Sequence, residues 1–132
     1  MNLTKQSLDA LRTRIQMGTK RADELTGELC PSPTKLRIAP DITACVDLML
    51  ADVIDYLCSS EFALQQVEQL FSCDHVPGSV MRQITPTAIA LVARAEQKVK
   101  HSFELLNHAQ QMIDGNRSIW GAEIRHGALW DK

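Results

Sequence analysis

Residues 40–72 read PDITACVDLMLADVIDYLCSSEFALQQVEQLFS, and this stretch determines the fold class. Its apolar residues recur every three or four positions from Ile42 through Leu57 to Phe71, which places them on one face of an α-helix. Pro40 suits a first helical turn, because the N–H that proline lacks would have no partner there. The stretch therefore predicts one unbroken helix over residues 41–72, roughly 48 Å long at about 1.5 Å per residue.

A second apolar stripe precedes this helix in the chain. Its residues from Leu8 to Leu29 alternate steps of three and four, which is the pattern of an amphipathic helix. Pro31 and Pro33 follow, and each removes a backbone donor and disfavours helical conformation in the residue before it. We therefore predict a first helix over residues 3–29.

A third stripe spans residues 89–113. The pair Thr85-Pro86 is typical of a helix start, since threonine caps free N–H groups and proline suits the first helical position. The pair Gly115-Asn116 is typical of a helix end, because both residue types tolerate the left-handed conformation. We predict a third helix over 86–114, followed by a tail, 115–132, that forms a short helix or an ordered extension.

Together these patterns predict an all-α fold, since no stretch shows the two-residue alternation of a strand. A chain of 132 residues falls within the usual size range of one domain. The middle helix is longer than the diameter of a compact domain of this size, so the bundle must be elongated. We expect a single domain, residues 1–132, that forms an elongated antiparallel bundle of three long helices plus the short C-terminal helix or extension.

The cysteines and the N-terminus bear on the cellular compartment. Residues 1–15 contain no apolar run long enough for a signal peptide or a membrane span, so we expect a cytoplasmic protein that does not bind membranes. The four cysteines form no CxxC pair, which favours free thiols over a zinc ribbon or a disulfide framework. For Cys45 and Cys58, the apolar residues around them in the sequence favour buried positions.

The sequence predicts neither an enzyme nor a cofactor. Its six glycines form no phosphate-binding loop, and no nucleophile occurs in a motif with an oriented base. His101 and His108 share a helix face, but their spacing is unspecific and the carboxylate pattern of di-iron bundles is missing. We interpret them as solvated surface histidines and predict no metal site.

Charge is distributed unevenly along the chain. Residues 1–39 carry seven basic and four acidic side chains, residues 40–75 carry none and seven, and residues 76–132 carry seven and five. Two explanations are open for the acidic middle part. Its carboxylates could pair with the basic flanking helices and fix their register, or they could form an exposed acidic face for a basic partner.

These observations favour a non-catalytic protein–protein interaction module: an adaptor, a regulator, an inhibitor or a small subunit of a larger assembly. We expect a homo-oligomer or a complex subunit that binds through apolar bundle edges and through the tail, because tryptophan is enriched where binding energy concentrates. The candidate partner-binding residues are Trp120, Ile124, Leu129, Trp130, Asp52 and Asp55.

The alternative is a regulatory protein that binds or mimics nucleic acid through its segregated basic and acidic helix faces. The candidate nucleic-acid-binding residues are Arg12, Arg14, Lys20, Arg21, Lys35 and Arg37. Acidic residues interleave with this basic set, and no aromatic stacking platform accompanies it. Protein binding is therefore the first hypothesis and nucleic-acid binding the second.

Overall fold

The computed structural model describes residues 4–29, 38–71 and 78–126, the last range by its backbone alone at 79–81 and 117–126. These residues form three α-helices: α1 (Lys5–Leu29), α2 (Pro40–Phe71) and α3 (Gly78–His126). No strand occurs within these ranges, so the all-α prediction is confirmed. The first two predicted helices begin and end within two residues of α1 and α2.

The starts of α1 and α2 have local causes. At α1, the N–H of Ser7 donates to Thr4 Oγ1 at 3.0 Å and the N–H of Thr4 donates to Ser7 Oγ at 3.1 Å, a reciprocal capping pair. At α2, the carbonyl of Ala39 accepts the first helical hydrogen bond, from the N–H of Thr43 at 2.9 Å. Pro40 then occupies the first helical position, where its missing N–H costs nothing.

The prediction for the third helix is wrong at both ends. α3 begins at Gly78, well before Pro86, and continues through Gly115 to His126, so the tail does not start with a separate short helix. Pro86 deprives the carbonyl of Arg82 of its helical partner. Both residues are exposed, so water can bind that carbonyl, and the loss is smaller than it would be inside the bundle.

Asn116 shows why the predicted C-terminal end fails. Its side-chain Oδ1 accepts a hydrogen bond from the N–H of Ala39 at 2.9 Å, so it satisfies a donor at the start of α2. Asn116 also follows the fully buried Ala109 by seven residues, so the two residues lie on the same face of α3. Contact with α2 therefore outweighs the cost of about 1 kcal/mol that Gly115 imposes in a helix interior.

We expect Gly115→Ala to stabilise the protein by about 0.5–1 kcal/mol, because alanine has the higher propensity for a helix interior. A Cβ atom at this position would meet no other atom within 4 Å. Urea unfolding followed by circular dichroism measures the change. A destabilisation would instead show that Gly115 ends a helix in the left-handed conformation, where alanine is strained.

The buried positions follow a seven-residue repeat. In α2 they form two series, Val46, Val53, Ser60, Val67 and Leu50, Leu57, Leu64. In α3 a series of small residues alternates with a series of larger ones. The small residues are Ala88, Ala95, Ser102 and Ala109, and the larger ones are Val92, Val99, Leu106 and Ile113. Strict seven-residue spacing is typical of helices that coil around one another with interlocking side chains. The core is thus one continuous layer along the bundle.

Contacts between the helices fix their directions. Ser60 Oγ donates to the carbonyl of Ala95 at 3.3 Å, and Ala39 bonds to Asn116 farther along. Residue numbers therefore rise in α2 as they fall in α3, and the prediction of an antiparallel bundle is confirmed. The Ser60–Ala95 bond joins a side chain to the other helix's backbone, which requires close approach and hence small residues at both positions.

Helix lengths are unequal. α3 has 49 residues, or roughly 74 Å at about 1.5 Å per residue, so the bundle is elongated as expected. Asn116 lies level with the start of α2, so residues 117–126 continue past that helix. In the described ranges, none of the three helices contains a stretch apolar enough to cross a membrane.

Candidate protein interface on the second helix

α2 carries a second repeat on the side opposite the core. Its six members follow alternating steps of four and three, and all are exposed: Ala44, Leu48, Ala51, Asp55, Cys58 and Phe62. We call these six residues the outer seam. Leu48 is 72% and Phe62 61% exposed, and their helical spacing places both large apolar side chains on the same side of α2. Within the part of the chain that the structure describes, no helix packs on this seam.

Unpaired carboxylates lie in and beside the outer seam. Asp47, Asp52 and Asp55 are exposed, and none forms an ion pair with any residue in the described ranges. α2 contains no lysine or arginine. The outer side of α2 therefore combines apolar side chains with a negative potential that its own helix does not neutralise.

Pairing inside the bundle accounts for the two glutamates of α2. Arg12 Nη1 lies 2.6 Å from Glu68 Oε1, and Arg12 Nε lies 3.4 Å from Glu61 Oε1. The hydrogen bond to Glu68 raises the pKa of Arg12 above its ordinary value. Both explanations of the acidic residues therefore apply within α2. The glutamates pair with a basic residue of α1, whereas the aspartates form an exposed acidic face.

A groove of about 650 Å³ opens between α1 and α2, next to the outer seam. The buried side chains of Ile15 and Leu57 line it, Lys20 lies on the α1 side, and Cys58 and Phe62 lie on the α2 side. Because Cys58 and Phe62 belong to both features, the groove and the outer seam form one continuous surface.

The expectation that Cys45 and Cys58 are buried is wrong. Both are exposed free thiols. Successive residues of a helix are rotated by about 100°, so Val46 and Leu57 pack in the core while the neighbouring cysteines lie on the outer side. Apolar neighbours in the sequence therefore do not show that a helical residue is buried. Cys30 and Cys73 lie outside the described residues.

The candidate nucleic-acid-binding residues do not gather on one face. Arg12 binds Glu68 of α2, whereas the guanidinium of Arg14 lies 5.7 Å from the ring centroid of Phe103 of α3. These two arginines thus lie on opposite flanks of α1. Lys20 lines the groove and Arg21 is half-buried. The remaining two, Lys35 and Arg37, lie outside the described residues.

The candidate residues of the tail are only partly placed. Trp120 and Ile124 lie in the helical backbone of α3, and their side chains are outside the description. Leu129 and Trp130 lie wholly outside the described residues. What the structure adds is the path of the backbone, which carries Trp120 and Ile124 beyond the start of α2.

His101 and His108 lie on the exposed side of α3. The ring of His101 lies edge-on to Tyr56, with 5.3 Å between centroids, and its Nδ1 lies 3.6 Å from Glu104 Oε2. Over the described ranges, no three His, Cys, Asp or Glu side chains come close enough to hold a metal ion. The contact of His101 with Tyr56 instead joins the surfaces of α3 and α2.

The sequence pointed to Asp52 and Asp55 as candidate binding residues but not to the apolar half of this surface, Leu48 and Phe62. The available signal was the second four-and-three spacing, from Ala44 to Phe62, within a helix whose core stripe has the same period. Comparison with profiles of protein families, with curated proteins and with solved structures finds no match.

Proposed function

We propose that this chain is a non-catalytic protein-binding module that acts in the cytoplasm as an adaptor, a regulator, an inhibitor or a small subunit of a larger assembly. The observation that carries the proposal is the outer seam, where Leu48 and Phe62 are largely exposed and Asp55, midway between them, forms no ion pair with a residue in the described ranges. Covering apolar surface contributes about 25 cal/mol per Å², so a partner that covers both side chains gains binding free energy.

The C-terminal part of α3 supports a second contact, either with a partner or with another copy of the chain. Residues 117–126 form helix beyond the level of Ala39. These residues continue a helix that is already formed, so they need no nucleation of their own, and a partner that covers their apolar side chains adds to their stability. Trp120 follows the buried Ile113 by seven residues, the spacing of the core series, and Ile124 follows Trp120 by one turn.

Nucleic-acid binding is the weaker candidate. A phosphate-binding face needs several free cations on one side, whereas Arg12 and Arg14 are engaged on opposite flanks of α1. The acidic face is equally unlike a phosphate backbone, since Leu48 and Phe62 alternate with its carboxylates. We therefore propose protein binding first.

Photo-crosslinking tests this proposal in the cells that make the protein. The full chain carries p-benzoylphenylalanine in place of Phe62, and the control carries it in place of Arg94, an exposed residue of α3. We expect a protein adduct from position 62 and none from position 94. Adding Leu48→Asp should remove the adduct. Equal adducts at both positions, or none at position 62, would contradict the proposal.

A further inference from the structure

The chemistry of the outer seam specifies the kind of partner, if the proposed function holds. We infer that the outer seam binds one basic amphipathic helix of another protein. That helix carries an apolar residue, a lysine or arginine seven residues later, and a second apolar residue seven residues after that. The apolar residues cover Leu48 and Phe62, and the basic residue pairs with Asp55.

The shape of the outer seam matches a helix. Small residues occupy every seventh position, at Ala44, Ala51 and Cys58, and larger residues occupy the alternate series at Leu48, Asp55 and Phe62. The core face of α3 has the same alternation and uses it to pack closely on α2. Such alternation lets the side chains of one helix insert between those of another.

The charge of the outer seam requires a basic partner. Asp55 occupies the middle of the seam, and burying a carboxylate without a counter-charge is strongly unfavourable. Asp47 and Asp52 flank the seam, and α2 supplies no cation. A helix that covers Leu48 and Phe62 must therefore bring a lysine or arginine to Asp55, with further basic residues at its edges.

A second copy of α2 fits poorly, because it would place aspartates against aspartates. Another helix of this chain would need an apolar–basic–apolar series at seven-residue spacing. Over the described ranges that series occurs once, as Leu91, Lys98 and Leu105. Leu91 and Leu105 pack against the core, and Lys98 Nζ donates to Ser59 Oγ at 2.7 Å, so this series is already engaged within the bundle.

A charge-swap experiment with designed helical peptides tests the inference. One peptide carries leucine, lysine and leucine at seven-residue spacing with lysine at its edges, and a matched peptide has glutamate as the central residue. We expect the central-lysine peptide to bind the full chain. Asp55→Lys should weaken that binding about tenfold or more and should improve binding of the central-glutamate peptide, while circular dichroism stays unchanged.

Glu24→Lys, at an exposed position of α1, is the control for the change in net charge. Failure of the central-lysine peptide to bind, equal affinity for Asp55→Lys, or an equal loss from Glu24→Lys would overturn the inference. If position 62 gives a photo-crosslinked adduct but the peptide does not bind, or if that adduct has the mass of two copies of the chain, the protein-binding function stands and the basic helix is refuted. If position 62 gives no adduct and the peptide does not bind, the protein-binding function and the basic helix are both refuted.

Discussion

Leu57→Ala is expected to lower the free energy of unfolding by about 2–5 kcal/mol. Leu57 is 1% exposed near the middle of α2, where it also contacts α1 beside Gly18. Truncation removes buried methyl groups and leaves a cavity between two helices that the neighbouring side chains fill only in part. Urea unfolding followed by far-ultraviolet circular dichroism measures the loss.

Leu48→Ala is the matched control, since it makes the same chemical change in the same helix at a residue that is 72% exposed. Its effect should stay within about 0.5 kcal/mol. Equal losses for Leu57→Ala and Leu48→Ala would mean that the two faces of α2 are assigned incorrectly, and the outer seam would then belong to the core.

Gly18→Leu should destabilise the protein by about 1–3 kcal/mol. A Cβ atom at position 18 would lie 3.1 and 3.3 Å from the two methyl carbons of Leu57 and 3.6 Å from Cζ of Phe103. The three further carbons of leucine cannot fit unless α1 moves away from α2 and α3. The same unfolding measurement gives the magnitude.

Gly27→Leu provides the comparison for the overpacked site, because a Cβ atom there would meet nothing within 4 Å. It should stabilise α1 by about 0.5–1 kcal/mol through helix propensity, opposite in sign to Gly18→Leu. Combining Gly18→Leu with Leu57→Ala should cost less than the two changes summed, since the cavity accepts the added side chain. Strict additivity would show that the two positions are not in contact.

The first two helices were predictable because their apolar stripes and their end signals agree. Pro31 ends the first stripe, and Pro40 begins the second. The ends of α3 were not predictable from local signals. Pro86 and Gly115 each destabilise a helix interior by about 1–3 kcal/mol, but contacts with distant residues determine where α3 begins and ends. The hydrogen bond between Asn116 and Ala39 joins residues 77 positions apart, which no local pattern reports.

The candidate interface was only half predictable, for a related reason. Periodicity gives the spacing of apolar residues but not which of two faces meets a neighbour. In α2 the core stripe and the outer seam share one period, and the predicted apolar face contained only the core stripe and its edges, not Leu48 or Phe62. The charge pattern singled out Asp52 and Asp55 but left open whether they are exposed, and the exposure of Leu48 and Phe62 became visible only once α1 and α3 were placed.

The length of α3 affects how the molecule diffuses. A compact chain of 132 residues has a radius of gyration of about 14 Å and hence a diameter of roughly 36 Å, whereas α3 alone is roughly 74 Å long. Such a rod meets more friction than a sphere of equal mass, so gel filtration calibrated with globular standards would assign a single chain an apparent mass well above 14.7 kDa. Counting subunits therefore requires scattering or sedimentation equilibrium, which report mass independently of shape.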